Sequence, residues 1–269
     1  MVGEKTLEQL IKTIILGIVQ GLTEWLPISS TGHLRLVEHF LGLNVPILFD
    51  VILHIGTLIV IFVFFKREIG KILSAITHLD FQTEYGRMVP LIIVGVIPTI
   101  LIGIIFGKLI EETFQSILPI AIAFIFCGLL LFSSKVGKEK TENVNYSTAI
   151  MIGIAQGIAI IPGISRSGAT IAVALLLGIK QKKAFGFSFL LSIPAILGAL
   201  GLTIYTEFDT LATSGLGWGE TLAGLIMATL VGYFALKLFW KTLAERKFHL
   251  FALYCWLLGA VLMLLSNVS

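Results

Sequence analysis

Charged residues in this sequence concentrate in a few connections, which leaves long, largely apolar stretches near 47–65, 88–107, 116–133, 184–206, 219–239 and 248–266. Each approaches the roughly 20 residues that carry a helix across a ~30 Å hydrocarbon layer. Of all residues, 57% are hydrophobic and 13% charged, where a soluble domain carries about 25% charged. An aqueous globule this apolar would lack the polar surface to stay dispersed. That excludes a nucleic-acid binder, a disordered scaffold and a secreted disulfide module. The net charge of +3 is too thinly spread for a polyanion partner. Cys127 and Cys255 lie in apolar runs without ligand spacing and read as small core residues. Glu4, Lys5, Glu8 and Lys12 scatter charge where a cleavable signal would need its apolar centre. The chain reads as a multi-pass protein of the cell (plasma) membrane, with a single membrane domain over 1–269.

Two further apolar stretches, 7–42 and 148–178, are broken near their middles by Pro, Gly, Ser and Thr. Loop charge separates them from true crossings. The connections 66–87, 134–147, 179–183 and 240–247 are rich in Lys and Arg, whereas 207–218 holds Glu207 and Asp209 and no basic residue. Basic loops stay cytoplasmic. Since 148–178 is flanked by basic loops on both sides, it should enter and leave from one side. Six spans plus this re-entrant hairpin place 43–46 outside.

Sliding the sequence by 136 residues superposes Gly17 on Gly153, Gln20 on Gln156, Gly21 on Gly157, Ser29 on Ser165, Gly32 on Gly168 and Gly42 on Gly178. A hairpin at 148–178 therefore implies one at 7–42, with both chain termini outside. The expected fold is all-α: six transmembrane helices plus two re-entrant helical hairpins in an inverted-topology repeat. The repeats cover 7–107 and 148–239, and 116–133 and 248–266 are additional spans. Shared sites in such repeats lie near the bilayer midplane. The small-xxx-small patterns Gly17/Gly21 and Gly153/Gly157 allow close helix approach, and their repetition suggests that the two hairpins pack on one another.

The first break runs from Gln20 through Glu24, Pro27, Ser29, Ser30, Thr31 and Gly32 to His33. The second runs from Gln156 through Pro162 and Gly163 to Ser165, Arg166, Ser167 and Gly168. Hydroxyls placed after a break cap the following helix, and each tip then offers a helix N-terminus, which binds phosphate. Arg166 at membrane depth costs about 3 kcal/mol on insertion scales and needs a partner. Phosphate oxygens match its guanidinium fork, and an ion pair with Glu24 is the structural alternative. Gln20 and Glu24 share a helix face. One carboxylate and one amide oxygen could hold Mg²⁺ or Ca²⁺ only with phosphate and water completing the shell. In the first helical turn the dipole favours a neutral His33 able to take a proton. Asp50 and His54, four apart, read as a supporting or cavity-lining pair.

The run Gln20-Gly-Leu-Thr-Glu24 with Pro-x-Ser-Ser-Thr-Gly-His, followed by Pro-Gly-x-Ser-Arg-Ser-Gly-Ala-Thr, resembles the undecaprenyl-diphosphatase (bacitracin-resistance) family over essentially the whole chain. The resemblance implies a membrane phosphatase that removes the terminal phosphate of undecaprenyl diphosphate and so recycles a lipid carrier of envelope polysaccharide and peptidoglycan synthesis. It also implies an outward-facing site and a divalent cation. By motif, Ser30 is the implied nucleophile, with Glu24, His33 and Arg166 as essential partners. Ser29, Thr31, Gly32, Ser165, Ser167 and Gly168 would hold the substrate, and Glu24 and Gln20 the metal. Many relatives have Glu where this chain has Gln20, which puts a two-carboxylate metal site in doubt. The sequence leaves open whether Ser30 attacks with His33 taking its proton or His33 activates water. It also leaves room for a homodimer. The rival reading is a transporter or flippase for an anionic polyprenyl lipid, since broken helices in inverted repeats are common in carriers.

Overall fold

The computed structural model describes residues 2–42, 47–206 and 218–266. Eleven α-helices fill these residues: α1 (Val2–Trp25), α2 (Ser30–Leu41), α3 (Ile47–Phe64), α4 (Lys66–Thr77), α5 (Glu84–Thr113), α6 (Ile117–Ser133), α7 (Tyr146–Ile158), α8 (Arg166–Leu176), α9 (Gln181–Thr206), α10 (Trp218–Ala244) and α11 (Phe251–Ser266). Short 3₁₀ turns at Ser134–Val136 and Phe248–Leu250 follow α6 and precede α11. Among the described residues five helices are long and apolar enough to cross a membrane, namely α5, α6, α9, α10 and α11. A sixth arises if α3 and α4, bent by 82° across Phe65, count as one span. The residues 43–46, Glu207, Asp209 and the two chain ends, expected on the outer side, lie outside the described residues.

Both expected breaks are present. The first falls between α1 and α2, and the second between α7 and α8. The second hairpin closes on itself at its base: Lys140 N–H donates to Gly178 O at 2.7 Å and Lys180 N–H to Thr141 O at 2.9 Å. It therefore begins and ends at one end of the bundle. The basic connections gather at that same end. Lys183 pairs with Glu84, Lys180 with Glu142 at 2.8 Å, and Arg246 with Glu139 at 3.2 Å.

Two boundaries differ from the sequence reading. The connection 66–87 contains α4, whose alternating basic and apolar residues hide its helical period from a reading based on charge. Helix α5 runs over 84–113 and not only 88–107. Thr83 caps it by accepting from Gly86 N–H at 3.2 Å, and Lys108 and Glu112 form an i,i+4 pair beyond the apolar stretch.

Lipid tails are as apolar as Leu, so helices in a bilayer associate through close packing and interhelical hydrogen bonds. Here the broken helix of each half lies along the last long helix of the other. Helix α1 packs on α10, and α7 packs on α5. This corrects the expectation that the glycine stripes join the hairpins. A β-carbon on Gly17 would collide with the Gly224 carbonyl of α10, and one on Gly153 with the Gly95 carbonyl of α5. The stripe dictates that some backbone must come close; it does not say which. Thr99 Oγ1 donates to Gly153 O at 2.9 Å and Thr229 Oγ1 to Gly56 O at 3.0 Å, which adds a cross-helix bond beside the tight α5–α7 contact and another between α3 and α10. An aromatic cluster of Phe65, Phe185, Phe189 and Phe239 packs below Trp25 at the end of α1, with the Trp25 and Phe189 rings 5.4 Å apart edge to face.

Gly153→Val should destabilise the protein by about 1–3 kcal/mol, the usual cost of overpacking. Gly198→Ala, where an added β-carbon meets nothing within 4 Å, should be neutral or slightly stabilising. Thermal unfolding of the two variants in detergent checks the contrast; equal melting temperatures would refute the α5–α7 contact.

Candidate active site

The two tips are joined through their own caps. Ser29 is the N-cap of α2, where its Oγ accepts from Gly32 N–H at 3.3 Å, and Ser165 caps α8 by accepting from Gly168 N–H at 3.1 Å. The capping expected from the sequence is thus present at both breaks. Ser29 Oγ also accepts from Gly163 N–H, across the gap, at 3.0 Å. In return Ser167 Oγ donates to the carbonyl of Trp25 at 3.2 Å. Ser29 holds φ 69°, a left-handed conformation that costs a non-glycine residue of order 1–3 kcal/mol and persists only where the surroundings enforce it. Gly32 is needed for the approach, because a β-carbon there would press on Phe124 and the Gly163 backbone. Cys127 accepts from Ser165 N–H at 3.4 Å, so this buried thiol on α6 backs the second tip.

At the junction sits a buried charge pair. Arg166, the first residue of α8, donates from Nη2 to Glu24 Oε1. Glu24 Oε2 accepts from Ser30 Oγ at 2.5 Å and from Gln20 Nε2 at 3.1 Å. His54 Nε2 on α3 stands 3.8 Å from the same oxygen. The side chain of Glu24 is 2% exposed and that of Arg166 is 20% exposed, so the carboxylate is sealed while the guanidinium keeps an open side. The Arg166 guanidinium also lies 5.9 Å from the Trp25 ring centre. Stripping either partner from such a pair leaves an uncompensated buried charge, at a cost of about 3–5 kcal/mol.

Glu24, Ser30, Arg166 and Gln20 therefore meet in one network, and Ser29, Gly32, Ser165, Ser167 and Gly168 form the frame that holds it. Thr31 is exposed. His33 is oriented differently from a base for Ser30. Its Nδ1 lies 2.7 Å from Ser29 O, and because a carbonyl only accepts, Nδ1 carries the proton. Its Nε2 lies 2.6 Å from the hydroxyl of Tyr254 on α11, with the two rings stacked at 5.7 Å. The group that receives the Ser30 hydroxyl is Glu24. Sequence reading missed Tyr254; it placed His54 with Asp50 as a supporting pair, and in the structure His54 Nδ1 lies 2.8 Å from the Asp50 carbonyl while Nε2 turns to Glu24 and Asp50 Oδ1 is buried without a partner.

Among the described residues no three His, Cys, Asp or Glu side chains gather as a metal cage. Gln20 Oε1, however, is buried without a hydrogen-bond partner, while Nε2 of the same amide faces the Glu24 carboxylate at 3.1 Å. With that amide turned to bring Oε1 toward Glu24, the two residues would suit a hard divalent cation that takes its remaining oxygens from phosphate and water.

A buried hydroxyl–carboxylate–guanidinium site held by two helix N-termini, within a bundle whose helices are long and apolar enough to cross a membrane, has the chemistry to take a phosphate-bearing ligand. The comparisons agree. The family described as "Bacitracin resistance protein BacA" matches residues 13–261, and this chain belongs to that family. A protein named undecaprenyl-diphosphatase from Halothermothrix orenii is 40% identical over 97% of this chain and 99% of its own. Another of that name, from Carboxydothermus hydrogenoformans, is 41% identical over 95% and 97%. A third, from Methanosphaera stadtmanae, is 41% identical over 96% and 99%.

If Tyr254 fixes the His33 ring, Tyr254→Phe should lower kcat several-fold with little change in KM, since the ring stack stays and only the hydroxyl goes. Steady-state kinetics on the purified variant checks this; wild-type kcat would show that the hydrogen bond contributes nothing.

Proposed function

We propose that the protein hydrolyses the terminal phosphate of undecaprenyl diphosphate, giving the lipid monophosphate and inorganic phosphate. The observation that carries this reading is the 2.5 Å hydrogen bond from Ser30 Oγ to Glu24 Oε2 beside Arg166. A carrier for anionic lipids needs the cation and the helix N-termini, but has no use for a serine hydroxyl bonded to a buried carboxylate. The names of the relatives point the same way.

In this reading the diphosphate enters the open side of Arg166 and competes with Glu24 for the guanidinium. Arg166, with the Ser165 and Ser167 hydroxyls and the N–H groups that open α2 and α8, takes up charge on the terminal phosphoryl group. Phosphoryl transfer depends chiefly on such positioning and electrostatic stabilisation. Ser30 Oγ attacks phosphorus, its proton passes to Glu24 Oε2, and the bond to the bridging oxygen breaks to release the lipid monophosphate. Water then cleaves the phosphoserine and restores the hydroxyl. His33, with Nδ1–H tied to Ser29 O, fixes the first turn of α2 and leaves Nε2 facing the Tyr254 hydroxyl. Gln20 and Glu24 would hold a Mg²⁺ or Ca²⁺ ion that neutralises charge on the diphosphate when bound.

The topology that fits is six spans with two re-entrant hairpins in an inverted repeat. It is supported by the base of the α7–α8 hairpin, which closes at the basic end, and by the reciprocal packing of α1 on α10 and α7 on α5. With the basic end cytoplasmic, the site opens to the outer face and both termini lie outside.

Purified protein in detergent should release phosphate from undecaprenyl diphosphate, and no release would overturn the reading in favour of a carrier. Ser30→Ala and Glu24→Gln should each lower turnover by roughly 10²-fold or more. Arg166→Lys should also lose most activity, because an ammonium cannot reproduce the bidentate fork. Gln20→Glu should lower the Mg²⁺ or Ca²⁺ concentration needed for half-maximal binding, measured by calorimetry as well as by rate. Unchanged cation affinity would remove Gln20 from the metal site.

A further inference from the structure

Helix α4 has a face that the rest of the bundle does not use. It leaves α3 at 82°, so if α3 crosses the bilayer, α4 runs along its surface. It does so at the end where the basic connections gather. At 100° per residue its side chains fall into three sectors. Ile69, Ile72 and Ala75 face the protein: Ala75 is buried, and Ile69 and Ile72 pack on the core. Leu73 and Ile76, to either side of Ile69 in projection and about one to two turns further along the helix, are 56% and 42% exposed. Opposite the apolar arc are Arg67, Lys71 and Ser74, with Lys66 at the border, all exposed. Lys66 and Arg67 make no ion pair among the described residues, and Lys71 lies 4.8 Å over the Tyr85 ring. Glu68 is the only acid within the helix, and Asp80 beyond it caps Gln82 N–H at 3.1 Å. The exposed Leu79 and Phe81 prolong the apolar edge past the helix end.

We propose that α4 is a binding site for anionic phospholipid headgroups of the leaflet at the basic end, with Leu73 and Ile76 in the acyl boundary and Lys66, Arg67 and Lys71 on the phosphates. The sector order is what an in-plane amphipathic helix needs: one flank on protein, the next in hydrocarbon, the third at the headgroups. Charge complementarity selects anionic over zwitterionic lipid. A basic residue held near an anionic surface contributes about fivefold in partitioning, so three together separate the two headgroup classes by more than tenfold. A soluble protein partner would have to reach Leu73 and Ile76 from within the bilayer. This site is distinct from the Ser30–Glu24–Arg166 centre and does not depend on what that centre hydrolyses.

The test uses the full-length protein in nanodiscs of mixed phosphatidylcholine and phosphatidylglycerol. Native mass spectrometry of the released protein should show phosphatidylglycerol enriched over its bulk fraction. The triple variant Lys66→Gln/Arg67→Gln/Lys71→Gln should lose at least about tenfold of that enrichment, and Lys66→Arg/Lys71→Arg should keep it. These side chains are exposed, so folding is not at stake, and a matching melting temperature checks that. Equal enrichment in wild type and the glutamine variant, or retention in the bulk ratio, would overturn the proposal. A spin label at Leu73→Cys should be reached by oxygen and shielded from a water-soluble relaxant. The reverse pattern would place the face in water or against another protein, and would equally overturn it.

Discussion

A guanidinium placed in the middle of a membrane protein must be neutralised, and the Arg166–Glu24 pair is the contact to which the other features of the site refer. It links residues from breaks in two different halves of the chain, so each tip completes the other. The cap of one helix accepts a hydrogen bond from the backbone of the opposite loop, and Ser167 answers with a bond to the Trp25 carbonyl. Placed within a bilayer, neither loop could satisfy its polar groups alone, because irregular backbone survives there only where protein or a wet cavity surrounds it. The strained backbone of Ser29 marks where this mutual support is spent.

In the proposed mechanism the same pair makes the site switchable. Held by Arg166, the Glu24 carboxylate is compensated and the Ser30 hydroxyl rests on its second oxygen. Arg166 is the more open of the two partners, and a diphosphate would compete for it. In the proposed reaction, binding of substrate releases the carboxylate for proton transfer, so that charge recognition and activation of the nucleophile are one event. The serine sits at the first position of α2, where the helix N-terminus favours developing negative charge.

Much of this was legible in the sequence because breaks in membrane helices have few chemical causes. Pro27, Pro162 and Gly163 in apolar runs located both tips, and the serines that follow them named their own caps. Glu24 and Arg166 stood out because charges at that depth need a reason. Other features left no such trace. The glycine stripes announced a close approach without naming α10 and α5 as the partners. Tyr254 lies 221 residues from His33 and is one aromatic among many on a lipid-facing helix. His54 reaches Asp50 as its i+4 spacing suggests, through the Asp50 carbonyl, but only the packing of α3 on α1 brings its Nε2 to Glu24. Helix α4 was hidden because its basic residues read as a loop, although their spacing is helical.

The most direct measurement is an experimental structure of the protein with a non-hydrolysable polyprenyl diphosphate analogue. The account predicts the terminal phosphoryl group between Ser30 Oγ and Arg166, with the Arg166–Glu24 bond broken and Ser30 still donating to Glu24. A diphosphate bound elsewhere, with that ion pair intact and no path from Ser30 to phosphorus, would contradict it.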